Sequence, residues 1–267
     1  MATAPVSVLG MATAVPDHVL EQSAVADYAR RIYAGTFARY PKLADVFLNA
    51  GIERRYSVRP LKWFDAPHDW GERTKAYLDG AGILFKRAAD RALGKARIAA
   101  KDVDVIVTVS STGIATPSLE ARVGGELGLR ASAERVPVFG LGCAGGVSGL
   151  AIGARLARAA PGEVVLVVVV ELCTLAFRGD RQGKADVISS ALFGDGAAAL
   201  VLRAEPEPAP LTLRDAAQHT WPGTLDIMGW SVDPAGFGVL LSRSQGVLSA
   251  LGPGFTASLL SFEVARG

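Results

Sequence analysis

The chain has 267 residues, of which half are hydrophobic and a fifth are charged. This composition excludes an intrinsically disordered chain and supplies enough apolar surface for one large domain or two small ones. The formal net charge of +2 is too small, and the charged residues too scattered, to indicate a nucleic-acid-binding protein. Two cysteines, Cys143 and Cys173, are too few for a disulfide framework.

Neither the first residues nor the apolar segments carry a targeting or membrane signal. The opening MATAPVSVLG lacks a basic region followed by a long apolar run. The most apolar stretch, residues 164–170, is far too short to span a bilayer. We therefore expect a cytoplasmic protein.

Strands and helices are predicted to alternate along the first two hundred residues, because the hydrophobic period changes repeatedly. In chain order, the predicted elements are a strand at 6–9, helices at 20–31 and 73–94, a strand at 103–109, a helix at 118–128, a strand at 136–139, a helix at 144–157, and strands at 164–172 and 197–202.

Two of the strands and one helix are apolar on every side. Segments 103–109 and 164–172 are rich in valine, which is typical of strands buried on both faces. Segment 144–157 consists almost entirely of Gly, Ala, Leu, Ile and Val, which indicates a buried helix whose small residues allow close packing. A helix buried all round needs layers above and below it. The sequence therefore predicts a layered α/β fold with more than the usual two or three layers.

A change of composition divides the chain. The segment AEPEPAP, residues 204–210, is predicted to be a linker between an N-terminal part, 1–205, and a shorter C-terminal part, 206–267. Only three strand-like segments follow it, at 211–213, 237–241 and 257–262.

Cys143 is the strongest candidate for a catalytic residue. It lies in Gly-Cys-Ala-Gly-Gly, between a predicted strand and the buried helix. The unpaired N–H groups and positive dipole at a helix start stabilise a thiolate, so we expect a lowered pKa for this thiol. The glycines permit a sharp turn and close approach of a substrate. A nucleophile that forms a thioester fits this pattern, although a buried structural cysteine is the alternative.

Several segments together resemble type III (chalcone synthase-like) polyketide synthases, and they occur in the family's order. The resemblance covers almost the whole chain. The matching segments are VFGLGCAGG at 138–146, ELCTLAFR at 171–178, ALFGDGAAA at 191–199, MGW at 228–230, GFGVLLS at 236–242 and LGPGF at 251–255.

This resemblance implies a thiolase-like, five-layered αβαβα fold and a homodimer. It implies that an acyl group passes from a coenzyme A starter to Cys143. Malonyl-CoA then loses CO₂, and the resulting carbanion attacks the thioester. The resemblance implies no metal or redox cofactor, only coenzyme A thioesters as substrates. No group of His, Cys, Asp or Glu has metal-ligand spacing in the sequence.

The sequence departs from the family where the partners of the cysteine are expected. Family members use a His in a His-Pro-Gly-Gly motif and an Asn in a Gly-Asn motif. Here His18, His68 and His219 lie in other contexts, and Asn49 is the single asparagine. The family's long segment with both motifs is absent between Arg243 and Gly246, which leaves a shortened second half.

Three functional hypotheses follow. The first is an acyltransferase that condenses an acyl-CoA starter with malonyl-CoA. The second is a catalytically inactive, truncated paralogue that acts only as an acyl-binding or dimer-forming protein, since loss of a base and oxyanion donors removes orders of magnitude in rate. The third is a ketoacyl-ACP synthase III-like enzyme, against which the matches at 171–178 and 251–255 argue.

The resemblance also implies substrate-binding residues. Cys173 and Ala176 match positions that line the acyl pocket, and their small side chains suggest the bacterial alkylresorcinol and alkylpyrone type; ordinary core packing is the alternative. Phe193 matches an aromatic residue at the active-site entrance. The glycine–proline loop contributes Gly252, Pro253 and Gly254.

Basic residues near the N-terminus are candidates for binding the phosphates of coenzyme A. They are Lys42, Arg54 and Arg55, and their charged donors suit phosphate. A solvated charged surface is the alternative for each. Glu171 ends a buried strand and is predicted to accept hydrogen bonds near the cysteine turn.

Overall fold

The computed structural model describes residues 5–205 and 209–241, and the backbone of residues 256–264. In chain order its elements are β1 (Val6–Ala14), β2 (His18–Glu21), α1 (Gln22–Ile32), α2 (Ala34–Arg39), α3 (Val46–Asn49), β3 (Arg54–Ser57), α4 (Trp70–Ala96), β4 (Val105–Val109), α5 (Leu119–Leu127), β5 (Glu134–Val138), α6 (Gly145–Ala159), β6 (Val165–Leu172), α7 (Lys184–Leu192), β7 (Asp195–Ala204), β8 (Leu211–Thr220), β9 (Met228–Asp233), β10 (Gly236–Leu241) and β11 (Thr256–Val264).

One seven-stranded sheet organises the fold, with the strand order β11-β8-β1-β7-β6-β4-β5. Strand β4 pairs in parallel with both β5 and β6, and β7 is antiparallel to β6 and β1. Every residue of β4 is buried. This confirms the prediction of a strand covered on both faces.

Helices cover both faces of the sheet. Helix α4 and helix α5 pack on one face, where α4 contributes the predicted stripe of buried residues from Ala81 to Leu93. The other face packs against α6. On the far side of α6, Val147 and Leu150 stay partly exposed, so the described residues do not bury this helix all round as predicted.

Glycines bring α6 unusually close to the sheet. A Cβ atom added at Gly149 would lie 2.4 Å from Cγ2 of Val109, and one at Gly153 would lie 2.6 Å from Cγ2 of Val167. Real side chains do not approach this closely. The predicted close packing of the small residues on the sheet is therefore confirmed.

This packing makes Gly149 sensitive to a single methyl group. We expect Gly149→Ala to lower the free energy of unfolding by about 1–3 kcal/mol, because a close-packed interface must open to admit it. The matched control is Gly146→Ala in the same helix, where nothing lies within 4 Å of the added Cβ. The control should be neutral or stabilising by up to about 1 kcal/mol, from helix propensity alone. Equal urea midpoints for the two variants would contradict the packing argument.

The residues after the linker do not form a second large sheet within the described ranges. Strands β8 and β11 extend the first sheet beyond β1, and β9 and β10 form a separate hairpin. The guanidinium of Arg178, in the segment between β6 and α7, forms an ion pair with the carboxylate of Asp233 in this hairpin, at 2.7 Å. Linker residues 206–208 lie outside the described part of the chain. Among the described residues, no helix is long and apolar enough to cross a membrane.

Candidate active site

The candidate site lies where three parallel strands end. Because β4 pairs in parallel with both β5 and β6, the carboxyl ends of all three strands lie on the same side of the sheet. Ser111 and Thr112 follow β4, Cys143 follows β5, and Glu171 lies near the end of β6. The fold thus brings together residues that are far apart in sequence.

The turn that carries Cys143 depends on glycine. Gly140 and Gly142 have φ angles of +88° and +50°, in the left-handed region that glycine adopts readily. Residues Gly142–Ala144 form a 3-10 turn that leads directly into α6. Cys143 is exposed, and its thiol is free. Cys143 therefore lies immediately before a helix start, as the sequence predicted, and the residue is exposed although its thiol is partly shielded from solvent.

Glu171 holds the loop after β4 against this turn. Its carboxylate accepts the backbone N–H of Ser111 at 2.9 and 3.1 Å and the hydroxyl of Thr112 at 2.7 Å. The Ser111 hydroxyl oxygen in turn accepts the N–H of Gly142 at 2.9 Å. The predicted hydrogen bonding of Glu171 near the cysteine turn is confirmed. Burial raises the pKa of Glu171 to about 7.

The pKa of Cys143 is raised, so the predicted lowering is wrong. Partial burial of the thiol contributes most, and the negative charge of Glu171 adds to it. A hydrogen bond to the backbone of Cys143 acts in the opposite direction but is weaker. Partial burial, with the charge of Glu171 near the end of β6 added to it, therefore outweighs the favourable field expected at a helix start.

Removing the Glu171 charge should make Cys143 more reactive. In a Cys173→Ala background, Cys143 is the single thiol, and its alkylation by iodoacetamide reports the thiolate fraction. We expect Glu171→Gln to raise the alkylation rate several-fold at pH 8. Because the pKa of Glu171 is about 7, the ratio of the two rates should fall toward one below about pH 6, where the parent's carboxyl is protonated and the side chain at position 171 is neutral in both proteins.

A second buried carboxylate provides the control. Asp195→Asn removes a charge that does not contribute to the Cys143 shift. Its alkylation profile should match the Cys173→Ala parent. If Glu171→Gln left the pH profile unchanged, the electrostatic role assigned to Glu171 would be excluded.

Cys173 and Phe193 line one largely apolar cavity of about 50 Å³. Cys173 begins a 3-10 turn that directly follows β6, and ionisation of Cys143 would raise its pKa, so the two thiols are electrostatic neighbours. Ala176 is buried but is not among the residues that line this cavity in the described structure. Gly252, Pro253 and Gly254 lie outside the described residues.

The β9–β10 hairpin adds an aromatic residue that the sequence analysis missed. The indole N–H of Trp230 donates to the carbonyl oxygen of Ser111 at 2.9 Å. Its ring meets Phe193 edge-on, with centroids 6.2 Å apart. Trp230 belongs to the segment MGW, so the signal was present in the sequence, but no local pattern placed it against the loop after β4.

The three basic candidates for binding coenzyme A, Lys42, Arg54 and Arg55, do not form one binding site. Lys42 and Arg54 are exposed, whereas Arg55 is only 7% exposed. Successive residues of a strand point to opposite faces, so Arg54 and Arg55 on β3 cannot face the same ligand. The Arg55 guanidinium donates to the side-chain oxygen of Gln22 at 3.1 Å and to the carbonyl of Phe193. The prediction of a coenzyme A contact for Arg55 is therefore corrected to a buried structural role.

Asp195, the first residue of β7, is buried. Its carboxylate accepts the N–H of Val58 at 2.8 Å, the N–H of Thr174 at 2.8 Å and the Thr174 hydroxyl at 2.7 Å. These bonds fix the start of the 3-10 turn that carries Cys173. Burial raises the pKa of Asp195 to about 6.

The histidines lie away from the cysteine, as their sequence contexts predicted. His18 and His219 are exposed, and His68 stacks on Trp63 with ring centroids 3.6 Å apart. In the described parts of the chain, no imidazole contributes to the pKa of Cys143.

Comparison with known proteins identifies the family. Residues 71–206 match the N-terminal domain of chalcone and stilbene synthases. A putative chalcone synthase from Bacillus subtilis (strain 168) is 34% identical over 249 residues, covering 88% of this chain and 68% of the relative. This chain belongs to the chalcone and stilbene synthase family. It is thus a member of the type III polyketide synthases.

Two further proteins define the fold and the extent of the match. A 1,3,6,8-tetrahydroxynaphthalene synthase from Streptomyces peucetius subsp. caesius is 34% identical, covering 88% of this chain and 63% of the relative. The crystal structure of the corresponding enzyme from Streptomyces coelicolor A3(2), a bacterial type III polyketide synthase, matches with a TM-score of 0.84 at 29% identity, covering 89% of this chain and 68% of that chain. The predicted thiolase-like α/β fold is confirmed. This chain spans about two thirds of the length of these relatives.

Proposed function

We propose that this polyketide synthase-family chain is an acyltransferase that takes an acyl group from a coenzyme A thioester onto Sγ of Cys143. The observation that carries the proposal is an exposed, free thiol at the start of α6, beside a thiol that lines an apolar cavity. Malonyl-CoA is the proposed extender, as the family resemblance implies. No cofactor other than these coenzyme A thioesters is proposed.

The first step is an exchange of thioesters. The Cys143 thiolate attacks the starter carbonyl, a carbon–sulfur bond forms, and the coenzyme A thiolate leaves and takes a proton from solvent. In the second step malonyl-CoA loses CO₂, and the carbanion attacks the acyl-enzyme carbonyl. The chain leaves as a β-ketoacyl-CoA, and the Cys143 thiolate is restored. The raised pKa of Cys143 places the first step at alkaline pH, where the thiolate is populated.

A specific observation favours the alternative, an acyl-binding protein that does not extend the chain. The pKa of Cys143 is raised. Within the described residues, its causes are burial of the thiol and the charge of Glu171, opposed by a backbone hydrogen bond, and no basic side chain is among them. A base and an oxyanion donor each contribute orders of magnitude to such reactions. The family match favours both candidates over a ketoacyl-ACP synthase III-like enzyme.

One experiment separates these candidates. The protein is incubated with a radiolabelled acyl-CoA, with and without malonyl-CoA, and both the protein and the small molecules are analysed. A labelled polyketide that forms only with malonyl-CoA supports the enzyme. Label on the protein without an extended product supports the acyl-binding alternative. If neither the protein nor a product is labelled between pH 7 and 9, both are excluded.

Homodimerisation is proposed through the free edge of the sheet. Strand β5 is an edge strand, and no described strand pairs with its outer side. Phe139, directly after it, is 55% exposed. An unpaired strand edge flanked by an exposed aromatic residue favours pairing with a second copy. Sedimentation that shows only monomer at micromolar concentration would contradict this.

We propose that Lys42 and Arg54, both exposed, contact coenzyme A. We also propose that the protein acts in the cytoplasm.

A further inference from the structure

Ser111, the second residue after β4, makes a hydrogen bond with each of its three polar groups. Its N–H donates to the Glu171 carboxylate at 2.9 Å, and its carbonyl oxygen accepts the indole N–H of Trp230 at 2.9 Å. Its hydroxyl oxygen accepts the N–H of Gly142 at 2.9 Å. These partners lie on β6, on β9 and in the turn that carries Cys143. Ser111 therefore joins the sheet and the hairpin to the cysteine turn, residues 140–144.

Holding both backbone groups of Ser111 fixes the direction of its side chain. The N–H belongs to the rigid peptide plane before the Cα atom, and the carbonyl belongs to the plane after it. When both planes are held, φ and ψ of Ser111 are set, and so is the direction of its Cα–Cβ bond. Glu171 holds the first plane and Trp230 holds the second. Loss of the indole N–H would therefore release the plane that helps to aim the Ser111 hydroxyl.

The cysteine turn needs such an outside contact because its own backbone is permissive. Gly140 and Gly142 have φ angles of +88° and +50°, and a residue without a Cβ atom moves away from such angles as easily as it adopts them. The hydroxyl of Ser111 holds the N–H of Gly142, the residue directly before Cys143. The position of the Cys143 sulfur therefore depends on where this hydroxyl points.

Trp230 is held in turn by contacts on both strands of its hairpin. It pairs with Val239 across the β9–β10 ladder. Arg181, in the segment before α7, donates to the carbonyl oxygen of Val239 at 3.0 Å and to the hydroxyl of Ser231 at 3.1 Å. Its guanidinium lies so close to the hairpin that a Cβ atom at Gly238 would be 2.3 Å from Nη1. The strand that carries the indole is thus fixed against the body of the protein.

We propose that Trp230 is a positioning residue for Cys143. Its indole N–H holds the carbonyl of Ser111, and the Ser111 hydroxyl then sets the turn that presents the sulfur of Cys143. This inference rests on the proposed function, because the reaction that it affects is acyl transfer to that sulfur. A misplacement of about 1 Å can cost a reaction about a hundredfold in rate. Trp230 therefore governs the rate of acylation more than the binding of acyl-CoA.

The first test measures acylation of Cys143 over a range of butanoyl-CoA concentrations, by time-resolved intact mass. Trp230→Phe removes the N–H donor and keeps a ring against Phe193 and Phe237, whose centroids lie 6.2 and 5.6 Å from that of the indole. We expect the maximal rate to fall about 10- to 100-fold and the half-saturating concentration to change by less than about threefold. If this variant does not fold, 3-benzothienylalanine at position 230 provides the same test, since sulfur replaces the N–H in a ring system of similar size.

The matched control and a double-mutant cycle separate positioning from a general loss of stability. Trp70→Phe removes an indole that also packs on Phe237, at 5.1 Å, and should leave the maximal rate within about twofold of wild type. Ser111→Ala removes the hydroxyl but keeps the carbonyl that Trp230 bonds. In that background Trp230→Phe should still lower the urea midpoint, but it should change the maximal rate by less than about twofold, because the link to the turn is already lost. An equal rate loss in both backgrounds would overturn the proposal.

Hydrogen exchange of the Gly142 amide, followed by NMR, tests the same contact without any acyl transfer. The amide of Val107 in the buried strand β4 reports global opening and serves as the reference. Relative to it, Trp230→Phe should speed Gly142 exchange about two- to tenfold, the ratio that one net hydrogen bond corresponds to, and Trp70→Phe should not. If acyl-CoA does not acylate wild type but Gly142 exchange responds, the proposed function fails and the positioning contact stands. The proposal is overturned if Trp230→Phe leaves unchanged either the exchange ratio or the maximal rate of an active enzyme.

Discussion

Replacing Cys143 with alanine is expected to abolish acylation of the protein by acyl-CoA, a loss of about a thousandfold or more. The chain has two thiols, and only Cys143 is exposed. Burial raises the pKa of Cys173 well above its ordinary value, so its thiolate is scarce at any working pH. No second thiol can therefore replace the first. Intact mass spectrometry after incubation with butanoyl-CoA at pH 8.5 measures the effect.

Cys173→Ala is the matched control for this substitution. It removes the other sulfur atom of the chain, at a site that lines the apolar cavity of about 50 Å³, and we expect the acylated fraction to stay within a fewfold of wild type. Acylation of the Cys143→Ala protein at the wild-type rate would show that a different group carries the acyl chain.

Asp195→Ala is expected to lower the free energy of unfolding by about 3–5 kcal/mol. Its carboxylate accepts three hydrogen bonds, from the N–H groups of Val58 and Thr174 and from the Thr174 hydroxyl. Each buried donor left without a partner costs about 1–3 kcal/mol. Asp90→Ala, at an exposed position on α4, should change stability by no more than about 0.5 kcal/mol. Urea unfolding at pH 7 measures both, and similar midpoints would contradict the assigned role of Asp195.

The pH dependence of Asp195 provides an internal check on that result. Its pKa is about 6 in the folded protein, above the value of about 4 in an unfolded chain. The folded state therefore holds a proton more tightly. The part of the stability that comes from this tighter proton binding, separate from the three hydrogen bonds, is full below about pH 4 and is lost as pH rises through about 6. Asp195→Asn removes this titration and should flatten the stability profile across that range, where a profile parallel to wild type would count against the burial argument.

The sequence predicted the central elements because their hydrophobic patterns leave few alternatives. Strands β4 and β6 are almost wholly apolar, which is typical of strands covered on both faces, and α6 carries a run of small residues suited to close packing on the sheet. Helix α7 and the β2–β3 pair were missed. They are short, and in α7 the apolar residues are interrupted by Lys184, Asp186 and two serines, so its identity depends on tertiary packing of Val187 and Ala191.

The parts of the candidate site that are contiguous in sequence could be predicted, and the parts that depend on contacts between distant segments could not. Cys143 and its glycine turn are contiguous and were found. The hydrogen bond from Trp230 to Ser111 joins residues 119 positions apart, and no local pattern indicates it. The predicted direction of the Cys143 pKa shift was wrong for the same reason, since the burial of the thiol and the charge of Glu171 on β6 both arise from tertiary packing. Arg54 and Arg55 differ in role because strand geometry separates adjacent residues, which composition does not show.

The most direct measurement is the location of the acyl group on the protein. After incubation with a short acyl-CoA, trypsin releases Cys143 in peptide 136–155 and Cys173 in peptide 159–178, so the two thiols are resolved by mass. We predict that the acyl mass is found on peptide 136–155, at Cys143, and is removed by neutral hydroxylamine as expected for a thioester. Acyl mass on peptide 159–178, or on neither peptide, would contradict the role of Cys143 on which the proposed chemistry depends.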